Sequence, residues 1–345
     1  MRTSGKTLRL SAGVAATTIA ALLLLYGSFQ RSATAQASPA PELLSALPAG
    51  APTLVYVDLA AVRASPFYQH RPDKAPIAVP NQDYADFMGS TGFDFEKDLD
   101  RVAIASWPAT GKEQTKDVAI AEGRFDRAKI SDYATRKGKL DHQQGHDVFL
   151  FPTGDQKGFV SVTFLDDHRM ALVGGTSIAP LFTSRGDDLG ADPVRERAAR
   201  FDGAAAFMIT RVPPIPDHPR AGAATQAAQF ENMARSVQWI TLAARPEGND
   251  LRISLEGECD NSTNAQQLKS ALELLRMLGR AGLDSPKTRQ SMDPAALATL
   301  QTLLTNAEVT QTAERVRILF ELTPDIFKVG EKRGSQSSTS NGGNK

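Results

Sequence analysis

The chain has one cysteine, Cys259, and five histidines in 345 residues, and it has no dense run of one charge. A single thiol excludes an internal disulfide, so in an oxidising compartment the fold must rest on its apolar core. Lysine and arginine total 39, as do aspartate and glutamate, and no clustered basic face recruits nucleic acid or anionic lipid by charge. The phosphate-loop pattern is missing, because Gly174-Gly175-Thr176-Ser177 has two glycines and no lysine after them. A tight turn with Thr176 or Ser177 capping the next helical stretch is the simpler reading. No cysteine lies near the N-terminal apolar run, which excludes a lipid-modified thiol there.

That run, residues 10–29, is the one segment long enough to meet a bilayer, and it follows Arg2, Lys6 and Arg9, with Arg31 just beyond. The asymmetry keeps the first residues in the cytoplasm and exports the rest. Two readings stay open. A cleaved signal peptide has its dense apolar part at 19–26 and a small-x-small site at Ala33-Thr34-Ala35, ahead of Gln36. A retained anchor takes the whole span, about 20 residues at 1.5 Å each, and the bulk of Phe29, Gln30 and Arg31 suits it. Of the 39 basic residues four precede Ala35 and of the 39 acids none does, so the exported part is acidic by four charges.

Residues 36–51 read as an Ala/Pro/Ser tether and 331–345 as a polar tail with too little to bury. Prolines 213, 214, 216 and 219 make a linker of 213–224. It separates 52–212 from 225–330, and these two parts match. In the first, 102–108 and 117–126 read as strand, turn, strand, then Glu122-Gly123-x-x-Asp126. In the second, 240–246 and 250–260 do the same, ending Glu256-Gly257-x-x-Asp260. A helix follows each, with Ile130, Tyr133 and Ala134 inward in the first and Leu268, Ala271, Leu272, Leu275 and Leu278 in the second. Thr263 and Gln266 are placed as a capping box for the second helix. Strands at 54–58, 146–151, 158–165, 169–173, 204–212, 309–312 and 316–322 complete the pattern, with a helix from Asp293 in which Leu297, Leu300 and Leu304 point inward. The expected fold is α+β: two related repeats, each an antiparallel sheet with helices on one face, after a transmembrane or signal segment.

Residue types that carry chemistry have plainer roles here. His142 and His146 stand four apart, a zinc spacing on a helix, but Gly145 intervenes and the preceding helix should end by Gly138, which makes them loop residues. Cys259 occupies the place of Phe125 in the other repeat, and a residue interchangeable with phenylalanine is packing rather than nucleophile. Asp126, Asp192 and Asp293 each precede a helix, two of them before proline, as N-caps do, and Asp58 is placed to do the same. Residues 93–100 are acidic and aromatic but lack the glycine and terminal glutamate of a calcium loop, so a helical turn is expected. Asn261-Ser262-Thr263 is a glycosylation acceptor only in a eukaryotic secretory pathway. No residue is assigned a catalytic, cofactor or metal role.

The opening 47–58, the segment Gly92-Phe93-Asp94-Phe95-Glu96-Lys97-Asp98-Leu99 and the strands after it resemble a family of bacterial exported proteins of unknown function, over residues 45 to 330. The resemblance implies a duplicated, exported α+β architecture and brings no activity or site with it. The expected role is a non-enzymatic binding or scaffolding module of the cell envelope, held to the membrane through its N-terminal segment, with an envelope protein or a small ligand as partner and no cofactor. The rival is an extracytoplasmic hydrolase assembled from distant loops, with His142 or His146 and Asp166 or Asp167. A third reading is a structural envelope protein that binds nothing small.

Overall fold

The structure is a computed structural model that describes residues 40–70, 82–108, 116–152, 158–182, 192–201, 203–213 and 235–324. The apolar run at 10–29, the cleavage site at 33–35, the linker beyond Pro213 and the tail at 331–345 lie outside the described residues. No described helix is long and apolar enough to cross a membrane. Two compact units divide the chain, the first holding described residues 40–60 and 82–192, the second 61–70 and 193–324. Each is built on an antiparallel sheet with helices, so the chain is α+β.

The first unit contains β1 (Thr53–Asp58), β2 (Leu99–Trp107), β3 (Lys116–Gly123), β4 (Lys139–Gln143), β5 (His146–Pro152), β6 (Phe159–Phe164) and β7 (Arg169–Gly174). Its order is β1-β2-β3-β7-β6-β5-β4, with every neighbouring pair antiparallel. The alternation of apolar residues that predicts these strands also fills the core: Ala103, Ala105, Ile120, Val148 and Ala171 are buried. Burying a side chain the size of Ile120 or Val148 is worth about 1.5–3 kcal/mol. The helix Arg127–Lys137 starts where Asp126 accepts the Lys129 N–H at 3.1 Å, and it packs Ile130 and Ala134 on Phe149 and Phe164. Phe125 stacks on Phe93 at 5.3 Å beside this cluster. Across β1, β2 and β3, Arg101 reaches Asp58 at 3.2 Å and Glu122 at 2.6 Å. Burial first, then the Asp58 carboxylate, push the nearby Tyr56 phenol far above its ordinary pKa, so it stays protonated.

The second unit contains β8 (Ala206–Arg211), β9 (Val237–Glu247), β10 (Asp250–Cys259), β11 (Glu308–Thr312) and β12 (Arg315–Leu322), in the order β8-β9-β10-β12-β11. Alternate residues of β10 face the helix Ser262–Leu283: Gly257 approaches Leu268, and Cys259 packs with Ala265 and Val316. Asp293 accepts the Ala296 N–H at 3.1 Å and so caps the helix Pro294–Asn306.

Four expectations change. The division falls between Asp192 and Pro193 rather than in 213–224, because β8 pairs with β9 from Ala206↔Ala244 to Arg211↔Trp239 and so belongs with the strands after it. His142 lies on a strand, not in a loop: β4 pairs with β5, which opens at His146 as the strand expected at 146–151, and the hairpin turn, Gln144 at φ 52 and Gly145 at φ 81, has both residues left-handed. The helix Ser262–Leu283 is capped by Asn261, which accepts the Asn264 N–H at 2.9 Å, and not by a box from Thr263 to Gln266. Its second half turns Leu274, Leu275, Met277 and Leu278 outward, and Leu300 of the next long helix is exposed too, whereas Leu268, Leu272 and Leu297 are inward. The expected stripe holds only where the sheet lies beneath the helix.

Candidate functional site

A cleft of about 580 Å³ opens in the first unit where β2 ends, β3 begins and β7 runs out. Trp107 and Lys116 are directly opposite across β2 and β3, so the last ladder position places an indole and an ammonium at one mouth. Pro48, Pro108, Val118, Val173 and Pro180 add apolar wall, and Asp117, Thr176 and Ser177 add polar rim. One carboxylate is already engaged: Asp117 accepts the Ser106 hydroxyl at 2.5 Å. Apolar walls with a few placed polar groups describe a small-molecule site in general.

The Gly174 to Ser177 segment bounds this cleft as a turn. The Gly175 N–H donates to the Phe159 carbonyl at 2.7 Å, and the Ser161 hydroxyl donates to the Gly175 carbonyl at 2.8 Å. Ser177 accepts the Ala179 N–H at 3.2 Å, ahead of the 3-10 turn Ala179–Leu181, whose N-cap is Ile178. Gln143 holds the segment from β4, donating to the Thr176 carbonyl at 2.8 Å and accepting the Ile178 N–H at 3.0 Å. Ile178 and Leu181 are buried and anchor it. The turn is thereby fixed from both sides, which gives the cleft a preformed wall.

The other candidate residues do not converge. His142 Nδ1 lies 2.8 Å from Asp147 across β4 and β5, both largely exposed, while the His146 ring stacks on Phe182 at 5.5 Å. Asp166 accepts the Arg169 guanidinium at 2.6 Å and the His168 N–H at 2.9 Å, which makes it a turn-former. Among the described residues no group of three His, Cys, Asp or Glu could hold a metal ion. Cys259 is buried, and that burial pushes its thiol pKa up, away from the thiolate a nucleophile needs. Asp94 caps the short helix Phe95–Asp98, and Asp98 accepts the Asp94 N–H at 2.9 Å, so the acidic stretch is a helical turn. Asp192 accepts the Gly50 N–H at 3.1 Å. Reasoning from sequence missed Trp107 and Lys116, whose only signal was their position at the two ends of a strand-turn-strand.

No protein-family model and no curated protein matches the chain. Among solved structures, crystal forms III, I and IV of TP0453 align with it at TM-scores of 0.43, 0.39 and 0.43 and identities of 11%, 10% and 11%. The alignments cover 86%, 87% and 85% of this chain and 100%, 99% and 96% of the other.

Proposed function

We propose that the chain is an exported, membrane-anchored, non-enzymatic binding module of the bacterial cell envelope, and that the cleft between Trp107 and Lys116 takes a small amphiphilic ligand with an anionic head. The cleft carries this reading: its apolar walls suit a short hydrocarbon or ring, and Lys116, the lining cation among the described residues, suits a carboxylate. The basic start and the apolar run at 10–29 support export, with the N-terminus inside and the folded part in the periplasm or outside. Cleavage after Ala35 would give a soluble periplasmic form instead. The family resemblance across 45–330 belongs to the same proposal, as does the absence of a nucleic-acid partner.

We further read the two units as copies of one arrangement. Each runs through a three-stranded meander, a helix and a returning meander whose last strand pairs with the third. Glu122 stands opposite Arg169 on β3 and β7, and Glu256 opposite Arg317 on β10 and β12, which supports the match of the two Glu-Gly motifs. Within this match the preceding strand shifts by two residues from the one read off Pro108 and Pro246: Ala121 faces Val102, while Leu255 faces Leu242. A two-residue turn, 248–249, replaces the eight residues between Trp107 and Lys116, and an even shift keeps the inward face inward.

Full-length protein exported in a bacterium and weighed intact tests the location: a mass starting at Gln36 removes the anchor. Octanoate titrated into the same protein tests the cleft, with saturable binding lost in Trp107→Ala and weakened in Lys116→Gln. Turnover of an ester, peptide or glycoside that one substitution abolishes would replace this reading with the hydrolase.

A further inference from the structure

A second cleft, of about 460 Å³, lies on the second unit's sheet, on the face formed by β10 residues that alternate with Gly257 and Cys259. Four arginines from four segments line it: Arg200 from the 3-10 turn Ala199–Phe201, Arg245 from β9, Arg252 from β10 and Arg317 from β12. The register sets Arg245 and Arg252 directly opposite each other. Like charges at such a position weaken a strand pair unless something neutralises them.

Neighbouring carboxylates do part of this and leave donors over on Arg252 and Arg317. Arg252 donates through Nη1 to Glu247 and through Nη2 to Glu321, each at 3.0 Å, while its Nε is shielded from solvent and has no hydrogen-bond partner. Arg317 directs Nε and Nη2 at one oxygen of Glu256, at 3.3 and 2.9 Å, which leaves Nη1 uncommitted among the described residues. Held from the side in this way, the guanidiniums are oriented before any ligand arrives, and a planar fork of donors matches a phosphate or carboxylate. The hydroxyls of Ser254 and Thr310 line the same cleft without a partner among the described residues. Glu308 adds an acceptor, and Phe201 adds an apolar wall.

We propose that this cleft binds a multiply charged oxyanion on a hydroxylated small molecule, its phosphate or carboxylate oxygens bridging Arg245, Arg252 and Arg317 and its hydroxyls meeting Glu247 and Glu308. The site lies wholly in the second unit and is independent of the cleft at Trp107. Pyrophosphate and citrate, titrated separately into the full chain at low ionic strength and followed by calorimetry, test it. At least one saturates at one per chain, the affinity falls with added salt, and it drops roughly tenfold or more in Arg252→Gln and in Arg317→Gln. Saturation by pyrophosphate alone assigns a phosphorylated ligand; saturation by citrate alone assigns a polycarboxylate. If either arginine variant loses its native circular dichroism, Ser254→Ala, which leaves every ion pair in place, weakens binding a few-fold. No saturation by either anion overturns the proposal, as does unchanged affinity in the folded variants. Octanoate binding should stay the same in all three, so failure here is distinct from failure at Trp107.

Discussion

Cys259 shows how a single residue's chemistry is set by its neighbours. With 3% of its surface exposed and its thiol pKa raised by burial, it should resist a disulfide reagent in the native protein and react at once in denaturant. Comparable labelling before and after unfolding would place the thiol at the surface. Asp166 shows the opposite sign. Burial alone would raise its pKa, but the His168 N–H and the Arg169 guanidinium outweigh that and hold it below the usual carboxylate range. A folded pKa below the unfolded one gives stability that is present above the unfolded value and lost as pH falls through the folded one. Asp166→Asn should therefore unfold at lower urea than the parent at neutral pH, and the gap should close as the pH falls through the lowered folded pKa of Asp166. A gap that persists in acid would mean that shape, not charge, forms the turn. Cys259 was legible in the sequence as packing, through the motif that aligns it with Phe125.

At the scale of elements, motifs alike in sequence need not have like surroundings. A Cβ on Gly123 would clash with the Asp98 carbonyl oxygen, which is backbone and cannot step aside. On Gly257 it would meet a Leu268 methyl at 3.4 Å, an ordinary contact. Gly123→Ala should cost about 2–3 kcal/mol in urea unfolding and Gly257→Ala less than about 1. Equal costs would mean that the two Glu-Gly corners are packed alike. The helix Ser262–Leu283 offers a second contrast. Leu272 packs on the Cys259 cluster while Leu278 is 59% exposed, so Leu272→Ala should cost about 2 kcal/mol or more and Leu278→Ala no more than about 0.5. The sequence could not separate these two leucines, because periodicity reports a face and says nothing about where its cover ends. It also missed β4, whose Lys139-Leu140-Asp141-His142-Gln143 has no apolar alternation and whose Gln144-Gly145 turn lacks the usual asparagine or aspartate.

At the scale of the whole molecule, the boundary between units follows pairing rather than composition. A chain begun at residue 225 loses β8 and leaves one edge of β9 open, whereas one begun at Pro193 keeps the pair. The longer piece should unfold more cooperatively on heating and stay soluble at higher concentration. If the two behave alike, β8 contributes nothing to the second unit. In the sequence, the prolines at 213–219 lie between two strands that pair with each other.

Among the described residues, the sequence by itself determined the α+β class, eleven of the twelve strands and the acid caps at Asp126 and Asp293, because each depends on periodicity or on chemistry within a few residues. Only the tertiary structure decided which leucines of a long helix are covered, where one unit ends, and that Trp107 meets Lys116 and Arg245 meets Arg252. Those facts come from strand register and helix placement. Both are set by the packing of the whole unit, which local pattern does not encode.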